Sequence, residues 1–113
     1  MLAGLIAAAA RRTVRLEAAL KGVAGFTGSG VVRAQIREGG RRRIEADLSG
    51  IAGQKAEIVI GLSSIGALAC RDGAATGRFD SAAGASIPAL GEGDIVEIRQ
   101  NGVAVLKGAL KRA

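Results

Sequence analysis

Arg33, Arg37, Arg41, Arg42 and Arg43 form the densest group of chemically capable side chains in the sequence. A guanidinium presents a planar fork of donors that matches phosphate or carboxylate oxygens. This group is therefore a candidate anion-binding site, for nucleic acid or an acidic surface. Base stacking is poorly served, because the chain has 2 Phe and no Tyr or Trp. The same arginines also fit a simpler role, since charges on an exposed hairpin discourage unwanted pairing of its edge. The formal charge of +6 favours anionic partners through its field and says nothing about fold.

Other reactive chemistry is sparse. The 113 residues include no histidine, which removes the commonest general base, proton shuttle and metal ligand. Ser-His-Asp and Cys-His arrangements cannot be assembled. The single cysteine, Cys70, cannot close an intramolecular disulfide, is compatible with a reducing compartment, and makes a poor metal site alone. It falls in an apolar stretch, where inert packing is expected of it rather than reactivity. The 10 acidic residues are scattered, and Glu17, Glu45, Asp47 and Glu97 alternate outward beside arginines as solvated ion-pair partners. A carboxylate pair brought together from distant strands stays open as a third, enzymatic class of function. Gly22-Val23-Ala24-Gly25 and Gly25-Phe26-Thr27-Gly28-Ser29-Gly30 have the composition of phosphate-cradling loops. An alternating strand follows them instead of a helix, so they read as turns. No metal site, cofactor or catalytic residue is expected.

The elements that carry these residues are mostly strands. Leu2, Leu5, Ile6 and Ala9 recur at helical spacing and predict a short helix over residues 1–12. Such a helix is marginal alone and must dock on its own sheet or on another copy. Residues 1–10 are too short and too poor in leading basic charge for a signal peptide. A clipped export signal or membrane-surface anchor is the alternative to a packing helix. From Thr13 the period becomes two: Val14, Leu16, Ala18 and Leu20 point one way and Thr13, Arg15, Glu17 and Lys21 the other. Val32, Ala34 and Ile36 repeat the pattern over 31–37, and Ile44, Ala46 and Leu48 over 42–48. Two-residue turns select residues that tolerate positive φ. Gly39-Gly40, Asp72-Gly73 and Asn101-Gly102 therefore predict hairpins joining 31–37 to 42–48, 65–71 to 74–80, and 94–100 to 103–110. With the apolar run 56–60, the count reaches about eight strands. Residues 81–93, around the lone Pro88, form the longest irregular connection and predict a crossover loop.

Between residues 13 and 60 an alternating strand ends in Leu20-Lys21-Gly22, and a glycine turn leads to Gly30 and a second strand. A third strand then runs into Leu48-Ser49-Gly50-Ile51. In this order the stretch resembles the first half of the copper/zinc superoxide dismutase sandwich and the related chordin-type (CHRD) domains. The resemblance implies a β-sandwich. In the dismutase family the next strand supplies histidine ligands, whereas the corresponding stretch here reads Glu57-Ile58-Val59-Ile60. The resemblance therefore carries over no ligand, no catalytic residue and no disulfide. It covers less than half of the chain, and sandwich folds host many unrelated functions.

The sequence thus predicts an all-β protein, an antiparallel β-sandwich of about seven or eight strands over residues 13–113 with a helix over 1–12. With so few aromatics the core must come from Ala, Val, Ile and Leu, which raises the value of a partner. The function expected is a non-catalytic structural or interaction module forming a homo-oligomer, with Leu2, Leu5, Ile6 and Ala9 at the interface. The alternative is an anion-binding module acting through Arg33, Arg37, Arg41, Arg42 and Arg43. A cytoplasmic setting without a membrane span is expected, with the clipped export signal as its alternative.

Overall fold

The computed structural model describes residues 13–37 and 39–113. The helix expected over residues 1–12 and its stripe Leu2, Leu5, Ile6 and Ala9 lie outside the described residues. The described residues form nine antiparallel strands in chain order: β1 Thr13–Gly22, β2 Ser29–Arg37, β3 Arg42–Ser49, β4 Lys55–Ile60, β5 Ser63–Ala69, β6 Ala74–Asp80, β7 Ile95–Gln100, β8 Val103–Ala109 and β9 Lys111–Arg112. They form one sheet in the order β5-β4-β7-β8-β1-β2-β3-β6, with β9 pairing on β1. The two terminal strands of that order are consecutive in the chain, so the sheet curls round until β5 and β6 meet as a nearly closed barrel.

Alternation decides which face is buried. Leu16, Ala18 and Leu20 of β1, Val32 and Ala34 of β2, and Ile44, Ala46 and Leu48 of β3 line the interior. Ile58, Val96, Ile98, Leu106 and Leu110 complete it from the other side. No polar or charged side chain is buried among the described residues. Val14 follows the inward parity but stays 37 % exposed, because it lies at the rim, one residue from the start of β1, beyond the core layers formed by the described residues. Residues 81–94 form the expected crossover: a short 3-10 turn, Ser81–Ala83, then an irregular run that sends Ile87 into the core.

Two of the predicted hairpin turns have the expected form. Asp72 and Gly73 take φ of 55° and 79°, Asn101 and Gly102 take 53° and 77°, and Arg71 and Ala74 exchange both backbone hydrogen bonds, at 2.8 and 3.0 Å. Positive φ at both central residues matches the right-handed twist of the flanking strands. The Gly39-Gly40 corner differs. The Arg37 N–H donates to the Arg41 carbonyl at 2.8 Å, which makes this connection longer than a two-residue turn.

The seam between β5 and β6 is closed by side chains in place of a hydrogen-bonded ladder. Among the described residues, the only backbone pairing along it is the bridge between Arg71 and Ala74 beside the turn. Farther along, the ring of Phe79 on β6 occupies the space a side chain at Gly66 on β5 would fill. Leu68 on β5 does the same over Gly77 on β6. Each strand thus gives up one Cβ to admit a large apolar group from the other, which recovers packing where the twisted sheet fails to close.

The barrel has two distinct ends. Connections 23–28, 50–54, 70–73 and 101–102 make one, called here the turn end. The β2–β3 connection and residues 61–62 and 81–94 make the other, the crossover end, where β1 also begins.

Candidate functional site

The arginines singled out in the sequence are brought near one another, and most of them are already engaged. Asp80, the last residue of β6, lies opposite Arg43 on β3. Its carboxylate accepts from Arg41 Nε and Nη2 at 3.2 and 2.7 Å, from Arg43 Nε at 3.3 Å, and from the Ala82 N–H at 2.9 Å. A two-pronged guanidinium pair of this kind is the strong form of the interaction. These hydrogen bonds, led by that from Arg41, hold the Asp80 carboxyl well below the usual carboxylate range, and the same pair raises the Arg41 guanidinium.

Arg42 has the inward parity of Ile44. Its Nη1 donates to the Ile87 carbonyl at 2.8 Å, and its backbone N–H donates to Ser81 Oγ at 2.9 Å. Its Nε is buried and has no partner among the described residues. Arg41, Arg42 and Arg43 together therefore tie β3 to the crossover loop. Arg37 is exposed at the end of β2, and Arg33 stands on the outer face.

Arg33 belongs to a row that runs across five strands. In direct register lie Lys111 and Glu17, Glu17 and Arg33, Arg33 and Glu45, and Glu45 and Arg78. The charges alternate in sign along the whole row. Arg33 approaches Glu17 at 3.6 Å and Arg78 approaches Glu45 at 3.3 Å. Exposed pairs of this sort contribute about 0.2–1 kcal/mol each. A hollow of about 450 Å³ on this face is lined by Arg33, Glu45, Asp47, Thr76 and Arg78 among others; of these, Glu45 and Arg78 pair with each other and Arg33 pairs with Glu17 beside it.

At the crossover end a second hollow, of about 570 Å³, is lined by Ser63, Ser64, Ser81 and Ser86 with Ala85, Ile87 and Pro88. Four hydroxyls meet there with no ionisable side chain in the lining. Among the described residues no three of His, Cys, Asp or Glu come together as a metal site. Cys70 is buried, and burial pushes its thiol up.

Alternation missed one feature, the large apolar side chains left in solvent. Leu62, in the turn between β4 and β5, is fully exposed, and Ile95 is 40 % exposed. The Gly61 N–H donates to the Ile95 carbonyl at 2.9 Å, which puts both side chains at the crossover end with Val14. Phe26 and Val103 are exposed at the turn end. The glycine and asparagine turns that predict these corners carry no signal about which apolar neighbour is left uncovered.

The fold and its surface define a small antiparallel β-barrel or sandwich domain, with ion pairs on its own face that join Glu17 to Arg33, Glu45 to Arg78, Glu97 to Arg99, and Asp80 to Arg41 and Arg43. Compared with known proteins, the chain matches no family model and no curated protein. No helix among the described residues is long and apolar enough to cross a membrane.

Proposed function

We propose that this protein is a non-catalytic structural and interaction module that assembles with copies of itself through the crossover end. The reading rests above all on Leu62, whose whole side chain stands in water, with Ile95 and Val14 exposed at the same end. Large apolar side chains left exposed at one end of a barrel favour an interaction surface there. The chain enters the barrel at that rim through Thr13, and the sequence before it carries the apolar spacing of Leu2, Leu5, Ile6 and Ala9. A closed, two-fold assembly would cover both features at once.

The reading through Arg33, Arg37, Arg41, Arg42 and Arg43 as an anion site has weaker support. Arg41 and Arg43 share Asp80, Arg33 has Glu17, and Arg42 is spent on the Ile87 carbonyl. An incoming phosphate would have to displace those partners.

Multi-angle light scattering on the full chain tests the proposal. A homo-oligomer is expected that shifts toward monomer in Leu62→Glu and in a chain lacking residues 2–12. Leu62 touches little, so its replacement leaves the fold intact. A monodisperse monomer at high micromolar concentration, unchanged by either alteration, overturns it.

A further inference from the structure

Two lysines that form no ion pair among the described residues lie toward the other end of the barrel, beside exposed apolar groups. Lys21 of β1 and Lys107 of β8 stand directly opposite one another, and both are exposed. Like charges in direct register repel, and neither lysine forms an ion pair among the described residues. Glu97 faces Lys107 from β7, but its carboxylate is held by Arg99 at 2.7 Å.

Toward the rim, Gly22 pairs with Leu106 and the Val23 N–H donates to the Val105 carbonyl at 3.0 Å. The chain then reverses through Ala24 and Gly25, at φ of 55° and 84°, and the Phe26 N–H returns to the Val23 carbonyl at 3.0 Å. A Cβ at Gly22 would strike the Phe26 carbonyl, so the glycine is what lets this corner fold back so tightly. Phe26 is 47 % exposed and Val103, the first residue of β8, 50 % exposed. One of the two phenylalanines seals the core seam, and the other is held in solvent by a tight, well-bonded turn.

Val103 lies four residues rimward of Lys107, roughly 13 Å at the rise of a strand, and the corner bearing Phe26 begins at Val23, two residues beyond Lys21. Apolar side chains of peripheral proteins enter the boundary between headgroups and acyl chains to a depth of about 5–10 Å. Lysine stems run along apolar surface and place their ammonium groups among the phosphates. We propose that the turn end docks on an anionic lipid bilayer, with Phe26 and Val103 entering the interface and Lys21 and Lys107 reaching the lipid phosphates. A nucleic acid could use the lysines and stack on Phe26, but it would leave Val103 in water, which favours the bilayer as occupant. The inference does not depend on self-association, although several copies on one surface would strengthen binding.

Co-sedimentation of the full chain with vesicles tests it, comparing phosphatidylcholine alone with equal parts of phosphatidylcholine and phosphatidylglycerol. Binding is expected with the anionic vesicles and is expected to weaken as salt rises. Lys21→Ala and Lys107→Ala should each weaken partitioning about fivefold, and Phe26→Ser combined with Val103→Ser roughly tenfold. Circular dichroism of each variant should match the parent, since all four side chains are exposed. Absence of binding at low ionic strength overturns the proposal. So does binding undiminished in both the lysine and the apolar variants, which would place it on residues 1–12. Binding of a duplex oligonucleotide as tight as that of the vesicles, and indifferent to Phe26→Ser with Val103→Ser, would replace the bilayer with nucleic acid.

Discussion

Replacing Gly66 by alanine should destabilise the barrel, and the cost should change sign when Phe79 is removed. A Cβ at position 66 would stand 3.0 Å from Cζ and 3.1 Å from Cδ1 of Phe79, and closer still to Cε1. Comfortable carbon contacts lie at about 3.5–4.0 Å. The phenyl ring is rigid and packs against the core, so it must retreat and drag β6 with it. Overpacking of this kind costs about 1–3 kcal/mol. Against that, alanine in a strand recovers about 0.5–1 kcal/mol of backbone entropy that glycine loses. The net expectation is a loss of about 1–2 kcal/mol, or roughly 5–10 °C in Tm for a domain of this size. Phe79→Ala alone should cost about 2–3 kcal/mol, below the range for a fully buried ring because this one is only partly covered. In that background the space over position 66 is open, and Gly66→Ala should become stabilising by about 0.5 kcal/mol. The resulting coupling of about 2 kcal/mol is measurable by denaturant unfolding of the four proteins in a double-mutant cycle. If Gly66→Ala has the same effect with and without Phe79, the seam is not closed by ring on glycine and the reasoning fails.

Three further outcomes follow from other parts of the molecule. Asp80→Asn should lower Tm at neutral pH by leaving Arg41 and Arg43 without their carboxylate. Because the folded-state Asp80 lies below its ordinary value, its contribution is full above about pH 3.9. It is lost as pH falls through the lower folded value. The Tm gap between the parent and the Asp80→Asn variant should therefore close only in strong acid, and a gap that closes already at about pH 5 contradicts the assignment. Gly28→Ala should cost about 2–3 kcal/mol, since Gly28 has φ of 118° and a Cβ there would meet the Gly50 carbonyl oxygen at 2.8 Å. Gly39→Ala, at φ of 95° with open space around it, should cost only about 1 kcal/mol; equal losses in urea melts would show that the close approach to Gly50 is unimportant. The Cys70 thiol, buried and shifted upward, should react with a disulfide reagent at least about a hundredfold more slowly in native than in unfolded protein, and comparable rates would mean that the connection following β5 opens readily.

Much of this barrel is legible in the residues alone, for identifiable reasons. The alternation of Leu16, Ala18 and Leu20 against Arg15, Glu17 and Lys21 admits only one way to bury a sheet face, because a one-residue slip would invert every side chain. Asp72-Gly73 and Asn101-Gly102 announce their turns because positive φ at two successive residues is a local demand with few solutions. Closure is different. Nothing local says that β5 and β6 will meet, or that Gly66 and Gly77 are empty places for Phe79 and Leu68. An isolated glycine in a strand signals a bulge, a bend or a close approach, and only the register across the seam distinguishes these. The Gly39-Gly40 corner departs from expectation for a related reason: two glycines satisfy a tight turn, but Arg41 pairs back to Arg37 and lengthens it.

The charges show the limit most clearly. In the sequence, Arg33, Arg37, Arg41, Arg42 and Arg43 look like the free positive group, since their acidic partners are remote in the chain. Folding brings Glu17 to Arg33 and Asp80 to Arg41 and Arg43, so local density of arginine measures pairing capacity rather than available charge. Lys21 and Lys107 are the reverse case. Each looks ordinary in its own segment, and their juxtaposition exists only through the short pairing of β1 with β8. That pairing ends where Leu110 turns inward and β9 takes over the edge of β1, so the row in which Lys111 faces Glu17 never reaches Lys21. The same strand substitution that completes the alternating row on one half of β1 leaves like charges opposed on the other. Cross-strand repulsion there is tolerable in water and becomes favourable only when an anion lies between the two ammonium groups, which is why the turn end, and not the arginine hairpin, is the place to look for an acidic partner.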